Sequence, residues 1–300
     1  MTSVSVSLAD MSDRTNRAPA RLWRLLAATV AAVLGAAPGF AQDVEYIPRD
    51  TYAKGLLQEG NAITFCYNAD GMMADFEQDL AQLLGGVLLT ETKLAPIPGT
   101  QITTPPLDHR LPLLPEQLYV IFAESCGAVI GYALSSSNPD WLTVTRPYMS
   151  SGTVMVATDP DYARLDDVPF DRPIASRAMS AADNRLINFL QDRPADRTWR
   201  RTPYFSNDLV LARVADGTSG AGLVWETALS FATDGAPAEA GYHVLEGLPF
   251  QAPPIEIGIA TRSEDRYLNE LLSGAIGALL ADGSIERLMR EHHLLPADAG

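Results

Sequence analysis

The chain has 300 residues, a net charge of −15 and 47% apolar residues, which allows either one large domain or two lobes of ordinary size. Four arginines and two aspartates precede residue 42, so the charge from there onward is −17. This acidity argues against nucleic acid and anionic lipid surfaces as partners, and it favours solubility or a basic partner.

The first 41 residues have the pattern of a secretory signal peptide. Four arginines between positions 14 and 24 precede an apolar run, Leu25–Ala37, and the helix-breaking Pro38-Gly39 follows. Gly39 and Ala41 occupy the small-residue positions of a cleavage site. The apolar run has about 13 residues, fewer than the roughly 20 needed to span a bilayer. We therefore predict cleavage after Ala41, a periplasmic location and no membrane anchor; the alternative is an uncleaved anchor.

The two cysteines, Cys66 and Cys126, are an isolated pair outside any C-x-x-C motif. In an oxidising compartment such a pair is usually a disulfide. Each cysteine ends an apolar run typical of a strand, Ala62–Phe65 and Leu118–Phe122. We therefore predict a Cys66–Cys126 disulfide, with two buried free thiols as the alternative.

From residue 62 onward, apolar periodicity predicts strands that alternate with helices. The predicted strands are 63–67, 129–132, 153–157, 174–175, 223–225, 244–245 and 255–260. The predicted helices are about 75–84, ended by Gly85-Gly86, then 181–190 capped by Ser180, 209–215, 268–279 and a short one after Asp282-Gly283. This alternation with short turns favours an α/β fold with parallel sheets.

The segment from 95 to 116 contains six prolines, which exclude a long helix or a central strand. We expect a surface excursion here, one that covers a cleft or contacts a partner.

Three motifs resemble those of the family 3 extracellular solute-binding proteins, which are two-lobed periplasmic clamshells associated with ABC importers. The motifs are D-F-E-Q-D-L-A at 75–81, T-R-P-Y-M-S-S-G at 145–152 and D-G-S-I at 282–285. The resemblance implies a type 2 periplasmic binding fold, each lobe a mostly parallel sheet flanked by helices. It also implies a first lobe of 42–152 plus 246–300 and a second lobe of 153–245.

A narrower set of features is similar to the accessory factors of periplasmic quinoprotein methanol dehydrogenases. These features are the positions of the two cysteines, the segment 127–131 after the second cysteine, and Val224-Trp225-Glu226-Thr227. Amino-acid-binding members of the broader family carry an Arg where this chain has Asn138, and an Asp where it has Gly220. Asn138 cannot replace the bidentate contact that a carboxylate prefers. The resemblance therefore disfavours an α-amino acid as ligand and tilts toward the accessory role.

Open α/β sheets bind ligands at the carboxyl ends of their strands, and the candidate ligand-binding residues follow from that rule. Arg177 and Ser180 lie at a predicted helix N-terminus suited to an anion. For the aromatic candidates, ordinary core packing is the alternative. The candidates are Tyr67, Asn68, Phe76 and Tyr132 in the first lobe, Arg146, Tyr148 and Ser151 near the crossing, and Arg177, Ser180, Trp225 and Glu226 in the second lobe.

The sequence contains no catalytic motif with a complete residue pattern. Gly217–Ala221 misses G-x-S-x-G at its last position, no H-E-x-x-H or phosphate loop occurs, and the four histidines are scattered. We therefore predict a non-enzymatic protein without metal or cofactor that binds a small-molecule ligand or a periplasmic partner. The partner is an ABC permease for an importer receptor, or a quinoprotein (PQQ) alcohol dehydrogenase and its cytochrome for an accessory factor. The alternative is a cyclohexadienyl-dehydratase-like enzyme with Glu226 as its acid or base.

Overall fold

The computed structural model describes residues 61–97, 101–104, 107–110, 115–135 and 138–295, which belong to one compact unit; the predicted signal peptide lies outside these ranges. The strands are β1 Ala62–Tyr67, β2 Glu91–Pro96, β3 Gln101–Thr104, β4 Leu107–Arg110, β5 Ala128–Ala133, β6 Leu142–Val144, β7 Met149–Ser151, β8 Thr153–Ala157, β9 Ile174–Arg177, β10 Arg201–Tyr204, β11 Ala221–Trp225, β12 His243–Val244 and β13 Ile255–Arg262. The helices are α1 Ala74–Leu88, α2 Pro115–Glu124, α3 Ala181–Gln191, α4 Asn207–Ala215, α5 Glu226–Ala232, α6 Arg266–Ala281 and α7 Ser284–Glu291. Within the described ranges, no helix is long and apolar enough to cross a membrane.

The first sheet has the strand order β2-β1-β5-β13-β6, and β7 also pairs with β13. Strands β1, β2 and β5 are parallel, whereas β13 runs antiparallel to β5, β6 and β7. The second sheet has the order β10-β9-β11-β8-β12. Here β9, β10 and β11 are parallel, and β8 is antiparallel to both β11 and β12.

The predicted α/β class, with two sheets flanked by helices, is confirmed. The sheets are mixed, however, and not mostly parallel as predicted. The reason is the connectivity: β8 is the first strand after the chain leaves the first sheet, and β13 is the first after it returns. Both strands enter their new sheet in the reverse direction, which local periodicity cannot reveal.

Each sheet is covered on its faces by separate apolar clusters. In the first sheet, β1, β5 and β13 pack against α1, α6 and α7, with Phe65, Leu80 and Leu272 fully buried. In the second sheet, Ile174 and Leu186 belong to the cluster on one face. The cluster on the other face contains Val156, Ala175, Val210, Leu211, Val224 and Leu229.

The predicted disulfide is confirmed: Cys66 and Cys126 are bonded, with their Cα atoms 5.8 Å apart. Both sulfurs lie in an apolar cluster that also contains Leu118 and Phe122. The run Leu118–Phe122 belongs to helix α2, so its interpretation as a strand was wrong. Leu118 and Phe122 are at helical spacing, and both face that cluster. A short continuous apolar run has the same pattern in a buried helix and in a buried strand, so periodicity does not distinguish the two.

Helix α1 continues through Gly85-Gly86 and ends only at Leu88, followed by the C-cap residue Leu89, whose φ of 54° is left-handed. The predicted end at the two glycines was therefore wrong. A β-carbon on Gly85 would contact the Thr92 hydroxyl, so that glycine serves the close packing of α1 against β2. In the proline-rich segment, β3 and β4 form a separate two-stranded sheet and β2 is an edge strand, consistent with the predicted exclusion of a central strand.

Candidate functional site

The parallel strands of the second sheet end on one edge, and that edge carries two of the predicted residues. Strands β9 and β11 end at Arg177 and Trp225, and Trp225 pairs with Thr153 at the start of β8. Trp225 is half-buried, and it packs against the core cluster of the first sheet. This edge of the second sheet therefore faces the first sheet. We call Arg177, Trp225 and Glu226 the interlobe edge.

The chain crosses from the first sheet to the second at Gly152, and helix α5 is fastened to that crossing. The Thr227 hydroxyl donates to Ser151 Oγ over 2.8 Å, and the backbone N–H of Glu226 donates to the Gly152 carbonyl over 3.0 Å. Ser151 is only 2% exposed. Ser151 was predicted to bind a ligand, but its hydroxyl instead holds α5 against the crossing.

Glu226 is exposed at the first position of α5. Its carboxylate lies beside Gly152, where a β-carbon would come within 3.0 Å of Oε2. The structure thus places Glu226 beside the crossing, on the same edge as Trp225.

Two aromatic candidates lie in the core of the first sheet. Phe76 and Tyr148 are 1% and 2% exposed, and their ring centroids are 5.9 Å apart. Neither ring is accessible to a ligand, so the alternative of core packing applies to both. Both residues belong to the core cluster in which α1 packs on the first sheet, and their rings are tilted by 45° to one another.

A buried carboxylic acid that the sequence reasoning missed lies beside them. Glu77 is 3% exposed, and its Oε2 accepts a hydrogen bond from the Asn68 backbone N–H over 3.2 Å. Burial raises the pKa of Glu77 to about 8, against the lowering effect of that hydrogen bond. Tyr148 is buried as well, and its pKa is raised by burial and then by the charge of Glu77, against the lowering effect of a hydrogen bond with the Gly131 backbone. The sequence did contain a signal for this buried acid, because Glu77 follows Phe76 directly on the apolar side of α1.

The remaining first-lobe candidates lie at the carboxyl ends of β1 and β5. Tyr67 is half-buried at the end of β1, and Asn68 begins the exposed turn that closes when Gly71 N–H donates to the Asn68 carbonyl over 2.9 Å. Tyr132 is half-buried near the end of β5, and its hydroxyl donates to Asn138 Oδ1 over 3.5 Å. Burial raises the pKa of Tyr132. These three residues share one edge of the first sheet.

Arg146 does not join them. Its side chain is exposed and lies along α6, where a β-carbon on Gly277 would be 2.6 Å from Nη1. Its backbone N–H donates to Ser273 Oγ over 3.1 Å. Arg146 was predicted to flank the site, but it packs on the outer helix because the segment before β7 lies against α6.

The first turn of α3 already carries a carboxylate of the chain itself. Asp183 is 1% exposed and accepts hydrogen bonds from Ser176 Oγ and Met179 N–H. Arg201 binds both oxygens of Asp183, with distances of 2.6 and 2.7 Å. Ser180 caps α3 by accepting from Asp183 N–H, and its hydroxyl donates to the Arg177 carbonyl. The structure thus engages the Ser180 hydroxyl in capping α3, and binding of an external anion at this helix end stays a prediction.

Arg177 is half-buried, and its guanidinium carbon lies 5.8 Å from the centroid of the Trp225 ring. Its pKa is lowered by burial, which disfavours the charged form. Within the described residues, its side chain makes no hydrogen bond or ion pair. Likewise, no group of three or more His, Cys, Asp or Glu residues in the described part could hold a metal ion.

No family model matches the chain, and no curated protein matches it. Solved structures do match. An ancestral cationic amino acid solute-binding protein, described elsewhere as a precursor of cyclohexadienyl dehydratase, matches at 14% identity and a TM-score of 0.60 over 78% of this chain and 96% of its own. The open second substrate-binding domain of Lactococcus lactis GlnP matches at 12% identity and a TM-score of 0.60 over 82% and 100%.

The L-cystine solute receptor of Neisseria gonorrhoeae, unliganded and open, matches at 15% identity and a TM-score of 0.58 over 80% and 95%. At these identities the likeness concerns the fold. The chain therefore has the two-lobe fold of periplasmic binding proteins, which is the fold that its motifs predicted.

Proposed function

We propose that this chain is a periplasmic receptor that binds a small molecule between two lobes, 42–152 plus 246–300 and 153–245, after removal of a signal peptide. The observation that carries the proposal is the position of Trp225. This residue ends a strand of the second sheet, yet it packs against the core of the first sheet. We infer that the strand ends at Arg177 and Trp225 face the strand ends that bear Tyr67, Asn68 and Tyr132.

The fold supports this function because the solved proteins it resembles are named as a solute-binding protein, a substrate-binding domain and a solute receptor. An ABC permease is the partner that such a receptor would serve. A thermal-shift screen with amino acids, opines and small organic acids tests the proposal, because a ligand that binds only the folded state raises Tm. We expect at least one compound to raise Tm in a concentration-dependent way, and a complete absence of such compounds would contradict receptor function.

The second candidate is an accessory factor of a periplasmic quinoprotein alcohol dehydrogenase. The placement of the Cys66–Cys126 disulfide favours it, because the cysteine positions carry the narrower resemblance. The mature charge of −17 also suits a basic cytochrome. Gel filtration of the purified protein with a PQQ dehydrogenase and its cytochrome distinguishes the candidates. Co-elution without any ligand-induced shift in Tm would favour the accessory role over the receptor.

A dehydratase on this scaffold would need an acid or base at the interlobe edge, and Glu226 is the exposed carboxylate there. Incubation with prephenate and arogenate tests this candidate. Turnover that disappears in Glu226→Gln would support an enzyme, whereas no turnover by the parent protein would exclude this reaction.

A further inference from the structure

Arg177 differs from every other half-buried arginine in the described part of the chain. The others each contact a carboxylate, and their closest distances fall between 2.6 and 3.6 Å. The pairs are Arg193–Asp166, Arg201–Asp183, Arg213–Asp216 and Arg262–Asp265. The guanidinium of Arg177 instead lies over the face of the Trp225 ring. A half-buried guanidinium has lost part of its hydration, so without an anionic partner it is an unfavourable element of the unliganded protein.

From this contrast we infer that Arg177 binds the carboxylate of a small organic acid between the two lobes, an assignment that rests on the receptor function proposed above. The anion must come from outside the described chain, because no acidic side chain there pairs with Arg177. Asp183, which follows the same strand in the sequence, is already engaged by Arg201, Ser176 and Met179. The planar fork of a guanidinium matches a carboxylate with two parallel hydrogen bonds.

A carboxylate fits this position better than a phosphate group does. The structure offers a single guanidinium here, and the buried carboxylate of Asp183 in the first turn of α3 disfavours a phosphate dianion at that helix start. The charge of −17 on the mature chain also repels a dianion more strongly than a monoanion. The ligand is therefore a monocarboxylate.

The surroundings of Arg177 indicate an apolar body for this acid. Trp225 offers a half-buried ring, and Met179, two residues beyond Arg177 at the same strand end, is 66% exposed. Met179 has a φ of 63°, a conformation that costs free energy for a residue with a β-carbon. Apolar side chains beside a charged anchor are typical of sites that bind organic ligands.

The test compares matched ligands by calorimetry: phenylacetate, its neutral amide phenylacetamide, and phenyl phosphate, together with every compound that raises Tm in the receptor screen. The variants are Arg177→Gln and Arg177→Lys. The control is Arg185→Gln, which removes the same charge from an exposed position on α3 of the same lobe. We expect carboxylates to bind more tightly than their amides. Arg177→Gln should weaken them about 30-fold or more, and Arg177→Lys by an intermediate factor because it keeps charge without the fork.

The Tm of the unliganded protein separates this role from a structural one. If Arg177 is a ligand anchor, Arg177→Gln leaves that Tm unchanged or raises it, because the variant removes an unpaired, partly dehydrated charge. The inference is overturned, with the receptor function intact, if the compounds that bind are neutral, cationic or phosphorylated, or if carboxylates bind Arg177→Gln and Arg185→Gln equally well. A screen in which nothing binds overturns both proposals.

Discussion

The carboxyl group of Glu77 occupies the space that a side chain on Gly131 would need. Gly131 lies in β5 with a φ of 80°, and a β-carbon on it would overlap Glu77 Oε1. The same carboxyl group accepts the Asn68 N–H at the end of β1. One buried acid thus joins α1 to two adjacent strands just behind the edge that bears Tyr67 and Asn68.

Replacing Gly131 with alanine should destabilise the protein by about 1–3 kcal/mol or more, because the left-handed backbone and the Glu77 contact both oppose a β-carbon. Urea unfolding followed by circular dichroism measures the change. Gly86→Ala is the matched control: it lies in the last turn of α1 with open space around it, and it should be neutral or gain roughly 0.5–1 kcal/mol. Equal stability of Gly131→Ala and the parent would contradict the packing described here.

Glu77 should make the protein less stable as the pH rises from about 4.5 to about 8. Its pKa is raised to about 8 in the folded state from its ordinary value of 4.5, so in this window the unfolded chain loses the proton that the folded chain keeps. The stability due to the neutral acid is fully present below pH 4.5 and is lost as the pH passes through 8. The total loss is on the order of a few kcal/mol.

The Glu77→Gln variant tests this assignment, because glutamine keeps an acceptor for Asn68 N–H and does not titrate. Between pH 5 and pH 8 the free energy of unfolding should fall more in the parent than in the variant, so the difference between the two shifts in favour of the variant. Glu91→Gln, at an exposed position on β2, should track the parent throughout. Parallel pH profiles for Glu77→Gln and the parent would show that the acid is already ionised at pH 5.

Loss of the Cys66–Cys126 disulfide should lower the free energy of unfolding by about 2–5 kcal/mol. The bond joins residues 60 positions apart, and in the chain-entropy model a loop of that length contributes roughly 4 kcal/mol. The Cys66→Ala/Cys126→Ala variant and the parent are unfolded in urea with and without dithiothreitol. The reductant should weaken the parent and leave the double variant unchanged; an insensitive parent would mean that the bond does not form in solution.

Asp183→Ala should destabilise the protein by about 3–5 kcal/mol, because it leaves the Arg201 guanidinium and the Met179 N–H without their shared acceptor. Asp192→Ala, at the exposed C-terminal end of the same helix, should change stability by less than about 0.5 kcal/mol. Thermal unfolding of both variants, of Arg201→Ala and of Asp183→Ala/Arg201→Ala measures the coupling between Asp183 and Arg201. If the single and double variants are additive, the ion pair carries no special stabilisation.

Several features were predictable from the sequence because they depend on local pattern. The alternation of apolar residues identified β1, β8, β11 and β13, and Ser180 with Asp183 three residues later identified the start of α3. The isolated cysteine pair identified the disulfide. The signals for the strands and the helix involve residues that are only a few positions apart. The cysteines are far apart in the sequence, but each has only one possible partner for a disulfide.

Only the tertiary structure decided which candidate ligand-binding residues are accessible and which are buried in the core. The motif residues Phe76, Tyr148 and Ser151 turned inward, because helices and strands distant in sequence close over them. Ser180 was expected to bind a ligand, and its hydroxyl caps α3, while Asp183 in the first turn pairs with Arg201 from a strand 18 residues later. Arg177 remained without a carboxylate. A sequence shows that an arginine is present, but only the fold shows that no acid of the described chain reaches it.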